Sequence, residues 1–476
     1  MIPAKNKRST LHAIQLLAFA CLLFFSLSCR GKKLTFYKDV QPVLFKNCAY
    51  CHRPGQSAPF SLITYMDAIK HASTIKYAVN TGYMPPWKAD TAYRKFTDAR
   101  VLTVEERSII INWIENGMVE GNQTDEIGLP YIDKHSNLGK PDLALAIPHV
   151  FKLKGINRDT VAYFVMPYSI PSDTNVLAFE FEPGNPRAVH HSNTWVFPDS
   201  TEYDRFYARD LPGITPLPDI PSELSWPGIP FVSAFPDNNL PQNDFPDFFP
   251  RVPPLYYDGW VPGASARTWP PGFGFRLPAK GIIITQIHYG PTPIDLEDQS
   301  TVNIFFTSKK VERMIESFNI GSSGGIAEPE PKLVLPPDSI KNFTVTAEVA
   351  KDLSYLALNP HMHFLGKEMK AFAVTPANDT IPLVWIKNWD FRWQEFYKPV
   401  SLIKIPKGSH INIYATFDNT STNPSNQYDP PRQVVQGANS TDEMMSLIVM
   451  SVEYKYGDEL IQLKPDLPII ETKTKK

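Results

Sequence analysis

The chain has 476 residues, with 47 Lys and Arg against 49 Asp and Glu, for a formal net charge of -2 at pH 7. That length gives room for about three domains with ample cores, and the near-neutral charge, without a basic stripe carrying interleaved aromatics, argues against nucleic acid or any other polyanion as a partner. Proline, at 46 residues, runs at about twice its usual share, and charged residues make up 20%, which suits a loop-rich all-β body better than helical bundles.

The first element is a leader. Lys5, Lys7 and Arg8 form a basic start, residues 11–25 are apolar but too short for a good spanning helix, and Ser26-Leu27-Ser28-Cys29 follows. A small residue before a cysteine at this place resembles a bacterial lipobox, although Ser26 stands where that pattern has an aliphatic residue. The expectation is a signal peptide over 1–28 and lipidation of Cys29, which would anchor an exported chain to a membrane of the bacterial cell envelope, on the periplasmic face or at the outer membrane. An ordinary leader or a retained anchor helix would export it equally.

The first folded unit is expected over 29–121. Cys48-Ala49-Tyr50-Cys51-His52 is C-x-x-C-H: two thiols that can add across the vinyl groups of haem, and a histidine that ligates the iron. The alternatives are a redox dithiol or half a zinc site, but the only other cysteines are Cys21, in the leader, and Cys29, at its end. Helices are expected over 39–48 and 67–80. A capping box at Thr103-Val104-Glu105-Glu106 opens another, with Ile109, Ile110, Trp113 and Ile114 on its apolar face and Gly117 as its stop. This last helix resembles the terminal helix of a class I cytochrome c, and one covalent haem c is expected. For the second axial ligand Met84, in the Pro-stiffened loop Gly82-Tyr83-Met84-Pro85-Pro86-Trp87, is preferred. Met66 is assigned to the core and His71, the runner-up, to a solvated helix position.

Residues 122–143 lose apolar periodicity and read as a linker. A second unit is expected over 144–322, with strands at 176–182 and 282–288. It carries His190, His191 and His288. Neighbouring side chains on a regular strand face opposite ways, so His190 and His191 can share an ion only if the backbone kinks or bulges there. Three imidazoles would make a copper or zinc site. Residues 211–271 are too Pro-dense for central strands and read as a long loop, either a lid or a surface insertion.

The third unit is expected over 323–476, with short strands at 343–349, 353–358, 371–375, 411–417 and 447–454, bounded by Gly, Pro, Asn or Asp as in a β-sandwich. Its strand at 353–358 leads into Asn359-Pro360-His361-Met362-His363. On a strand, period 2 puts His361 and His363 on one face, a half-site for a transition metal. Met444, just before the last strand, is either core or a thioether ligand completing a His2Met set. Soft sulfur favours copper over zinc.

The motifs Gly259-Trp260-Val261-Pro262-Gly263, Pro271-Gly272-Phe273-Gly274-Phe275, Gln286-Ile287-His288-Tyr289-Gly290, His361-Met362-His363-Phe364-Leu365-Gly366-Lys367 and Asp442-Glu443-Met444 resemble, in order, those of the copper type II ascorbate-dependent monooxygenases. That family includes the peptidylglycine α-hydroxylating and dopamine β-hydroxylating enzymes. The resemblance implies two jelly-roll-like sandwiches with one copper each, so the expected architecture is multidomain: a helical cytochrome c domain followed by two all-β sandwiches. It implies that His190, His191 and His288 hold the copper that stores an electron. It makes His361, His363 and Met444 the catalytic ligands of the copper where dioxygen attacks a substrate C–H bond. Two departures stand out. The chain has no cysteines to spare for the disulfides of the eukaryotic members. Where the peptide-amidating enzyme clamps its substrate carboxylate with Arg and Tyr, this sequence has Asn359 and Ile448.

The expected function is therefore a haem-linked copper monooxygenase acting on a small or peptide-like substrate, fed by an upstream electron donor. The competing reading is a copper- and haem-bearing electron-transfer or copper-handling lipoprotein that hydroxylates nothing. Oxygen consumed in step with a hydroxylated product separates the two.

Overall fold

The computed structural model describes residues 33–128, 138–157, 160–198, 231–233 (backbone only), 254–322, 325–437 and 441–466. The expected leader, Cys29 and the Pro-rich residues 211–253, apart from the backbone of 231–233, lie outside the described residues. Among those described, no helix is long and apolar enough to cross a membrane. The chain is β-rich and multidomain, with several sheets packed as sandwiches.

The N-terminal described residues are helical. A π-turn, Phe36–Val40, runs into Gln41–Asn47, where Pro42 occupies the first turn at no cost in hydrogen bonds. The single helix expected at 67–80 is two, Tyr65–Lys70 and Ala72–Thr81, broken at His71. Val104–Glu115 begins with the expected capping box, Thr103 Oγ1 accepting from Glu106 N and the Glu106 carboxylate from Thr103 N. Gly117, at φ +90°, follows its end. Phe36, Leu44, Ile110 and Trp113 close the small core. Met66, assigned to that core from sequence, is 64% exposed: its helix is less than two turns long and turns Ala68 inward instead. His71, read as solvated, is stacked on Phe60 with ring centroids 4.0 Å apart.

The first sandwich has a five-stranded sheet ordered Phe231–Ser233, Thr160–Ser169, Lys280–Tyr289, Val189–Phe197, Tyr256–Trp260. Facing it are Leu143–Ala146, Thr301–Thr307, Thr174–Glu182, Phe273–Leu277 and Arg313–Met314. Alternation decides what goes inside. Ile283, Ile287 and Tyr289 of Lys280–Tyr289 enter the core between the sheets, while Ile282 and Ile284 join a smaller apolar cluster on the other side. His288 falls on that second side by the same period. Tyr256–Trp260 corrects the reading of 211–271 as loop throughout. Its five residues contain no proline and are mostly aromatic, and they take an edge position, where nearby prolines do no harm.

The second sandwich packs Glu316–Gly321, Met445–Glu453, Leu353–Met362 and Ile403–Ile405 against Ser339–Glu348, His410–Asn419, Gly366–Val374 and Thr380–Ile386. Glu316–Gly321 pairs with Met445–Glu453 along its whole length, so this sandwich reaches back before residue 323.

The units are packed on one another. The core of the first sandwich continues into Leu356, Ala357, Phe396 and Met450 of the second. Past the helices, an arm over 87–100 lies along the second sandwich, with Ala89 bridging Ile386, Phe96 bridging Pro399, and both side chains in that core. Arg100, at the end of the arm, grips both carboxylate oxygens of Glu395 at 2.7 and 2.6 Å, almost out of solvent. Removing one partner of a buried pair strands the other, at a cost of about 3–5 kcal/mol. Arg100→Met should lower the stability to urea by that much, and the double variant Arg100→Met/Glu395→Met should recover most of it. A single-variant loss below about 1 kcal/mol would place the pair among weak surface bridges instead.

Candidate metal centres

His191 and His288 stand opposite each other in the ladder between Val189–Phe197 and Lys280–Tyr289. The next residue pair is Tyr289 with Val189, so His190 is the extra residue of a β-bulge. The bulge breaks the alternation that would send His190 and His191 apart. One ligand nitrogen from each of His190, His191 and His288 lies within 4.8 Å of the others, so the group could hold a metal ion. Burial, then the neighbouring His288 and His190, hold His191 well below the ordinary imidazole value, in the neutral form that ligates. Its Nδ1 is buried without a hydrogen-bond partner, an orphan that a metal ion would satisfy.

His361 lies near the end of Leu353–Met362 and His363 just past it. Met362 between them is fully buried in the core, so the two histidines share the opposite face. Their ring centroids are 5.1 Å apart. His363 Nδ1 meets the Asp442 carbonyl oxygen at 3.0 Å, and His361 Nδ1 meets Gln394 Oε1. A carbonyl oxygen only accepts, so each ring carries its proton on Nδ1. That tautomer puts the lone pair on Nε2, the form in which histidines held this way usually ligate. Burial takes His361 down to about 4.

Glu443 organises this second group. Its carboxylate accepts from His363 N at 2.9 Å, Leu365 N at 2.6 Å and Met444 N at 3.2 Å. One oxygen thus serves the backbones of both His363 and Met444 and ties the two together; Met444 itself is half-buried. Burial pushes the Glu443 carboxyl up to about 8, against the pull of those three donors.

The two histidine groups come together around a single ring. Phe391 has its centroid 5.6 Å from that of His191, 5.3 Å from His288 and 5.7 Å from His363.

In the helical unit, Cys48 caps Gln41–Asn47, and His52 N returns to Cys48 O at 2.9 Å. The two thiols are not joined to each other, and burial takes Cys48 up to about 12. His52 Nδ1 meets the Phe60 carbonyl oxygen at 3.0 Å, again the tautomer that leaves the lone pair on Nε2. Met84 is half-buried on the loop after Gly82, whose φ of +70° ends the preceding helix. This unit meets both sandwiches near those residues. The hydroxyls of Tyr50 and Ser265 are 2.5 Å apart, and Arg392 Nη1 donates to Tyr83 Oη at 3.2 Å.

Sequence reasoning missed Phe391, Gln394 and the role of Glu443. Only Glu443 gave a signal, as an acid beside the Met444 motif at the head of an apolar strand.

No family model matches the chain, and no curated protein matches it. Among solved structures, PNGF-II in the P21 space group is 11% identical with a TM-score of 0.21, over 66% of this chain and 62% of its own length. The infectious bursal virus derived T=1 particle is 10% identical with a TM-score of 0.15, over 68% and 79%. Neither likeness bears on the chemistry.

Two outcomes follow from the second group. Glu443→Ala leaves three inward N–H groups without an acceptor, each worth about 1–3 kcal/mol. It should weaken metal binding at His361 and His363 while the three-histidine group keeps its ion, as metal counts on the purified variant would show. The other outcome concerns pH. In metal-free protein His361 binds its proton more weakly folded than unfolded, so its contribution to stability is complete above the unfolded value of about 6.5 and is lost as the pH falls toward about 4. The urea midpoint should therefore drop between pH 7 and pH 5, and by less in His361→Gln. An equal drop in both proteins would contradict the assignment.

Proposed function

We propose that this chain is a copper-dependent monooxygenase that draws electrons through its own haem c and hydroxylates a C–H bond of a neutral or amphipathic substrate. The observation that carries the reading is the meeting of two unlike histidine groups around Phe391, in a chain whose C-x-x-C-H unit is packed on both sandwiches. His190, His191 and His288 would hold one copper, and His361, His363 and Met444 the other. Cys48 and Cys51 would attach the haem, with His52 and Met84 as axial ligands. When bound, copper supplies one-electron redox chemistry toward dioxygen, and the haem supplies electrons.

The protein's own groups prepare for this. Burial keeps His191 and His361 neutral, so no proton has to leave before they ligate. Gln394 and the Asp442 carbonyl fix the tautomers of His361 and His363. Phe391, 5.7 Å from His363 by ring centroids, and Phe364, 4.2 Å from Phe391, make the surroundings of His363 apolar. Asn359, at the place of the peptide-amidating enzyme's Arg, is buried and spends its amide on the carbonyl oxygens of Gln394 and Glu395. Ile448 lies opposite it in the ladder. A substrate carboxylate there would meet no cation, at a cost of several kcal/mol, which supports a substrate other than a glycine-extended peptide.

The decisive experiment is metal and haem analysis of the soluble protein, followed by anaerobic mixing of its ferrous, Cu(II) form. Two coppers per acid–acetone-resistant haem are expected, with one lost in His361→Ala/His363→Ala. The ferrous absorbance should decay in a first-order process independent of protein concentration. Native zinc in place of copper would sink the reading, as would decay that scales with concentration.

A further inference from the structure

Residues 389–398 lie between secondary-structure elements, yet nearly every side chain is committed to a different part of the molecule. Phe391, 7% exposed, touches histidines of both groups. Arg392 donates to Tyr83, the neighbour of Met84, and lies over its ring at 5.6 Å. Gln394 bonds His361, and Glu395 takes Arg100. The backbone is tied as tightly: Tyr397 and Leu358 exchange two hydrogen bonds of 2.7 and 3.1 Å, and Asn359 holds two successive carbonyls. A ring carried on a segment pinned this way has no easy displacement.

We propose that Phe391 is a positioning residue that sets the separation between the three-histidine group and the His361/His363 pair, while the segment carrying it holds both in register with the Met84 loop. The two groups sit on different sandwiches, and among the described residues no backbone ladder joins the strands that carry them. Their spacing therefore depends on the packing between the sandwiches, and among the described residues Phe391 is a ring of that packing in contact with histidines of both groups. Loss of the ring would let the groups approach or part while leaving each set of ligands intact. This rests on the copper reading above for its measurement.

The test uses the full soluble protein loaded with two Cu(II) per chain and frozen for electron paramagnetic resonance. Two paramagnetic ions in one molecule give dipolar broadening whose size changes steeply with their separation. Wild type sets the reference. Phe391→Ala, with its two coppers bound, should change the dipolar intensity several-fold, and Phe391→Tyr, which keeps the ring, should restore it. Phe391→Leu serves in the same way where the alanine variant does not fold. Wild-type intensity in the copper-loaded alanine or leucine variant overturns the positioning role alone. A wild-type protein that cannot take two coppers overturns the copper reading and this inference with it.

Discussion

A carboxylate taken out of water needs a cation or a set of hydrogen-bond donors, and Glu395 meets Arg100, with Arg267 of the first sandwich also acting on it, at the place where the helical unit, the first sandwich and the second sandwich converge. Burial pushes the Glu395 carboxyl upward, and the Arg100 charge opposes that. Around this pair run other buried charges. Arg267 binds Asp258 within the first sandwich and lies over Phe396 of the second, and Asp466 lies within reach of both Arg267 and Lys398. Such a network gives little net stability compared with apolar packing of the same volume. It does penalise every arrangement in which a member is left alone. The three units are thereby held in one relation, and the candidate site, assembled from two of them, exists only in that relation.

The division of labour within the site follows from secondary structure. Strands, and the residue just past one of them, supply the candidate ligands, because period 2 and one bulge put imidazoles on chosen faces with little freedom. Connecting segments supply what holds those ligands still: Gln394 and Asp442 for the rings, Glu443 for the turn after His363. Small displacements in a connecting segment are thus transmitted to the orientation of ligands that it does not itself carry.

Much of this was legible in the sequence. The His361/His363 spacing, the need for a bulge at His190 and His191, the capping box at Thr103 and most strand positions are local properties, set within a few residues of chain. What was not legible is long-range. In Trp389-Asp390-Phe391-Arg392-Trp393-Gln394-Glu395-Phe396-Tyr397 the first six residues alternate apolar and polar as a half-buried strand would, yet they form no strand, so the pattern in it gives no sign of a central brace. Tyr256–Trp260 was hidden by flanking prolines whose effect stops short of it. Glu316–Gly321 looked like the tail of one sandwich because its partner strand lies more than a hundred residues later. Met66 failed for a simpler reason: a six-residue helix buries only a narrow stripe, and the core claimed Ala68.

The arm over 87–100 carries a consequence for biosynthesis. Arg94 and Arg100 find their partners 288 and 295 residues further along the chain. At the roughly 5–20 residues per second of protein synthesis, a gap of that size takes on the order of 15–60 s to make. For that interval the helical unit can close its own small core, but the apolar Ala89 and Phe96 beside it have nothing to cover them. The nascent chain thus carries an exposed sticky strip from its first domain until its last strands arrive. During that delay the strip is open to wrong contacts, the hazard that chaperones exist to limit.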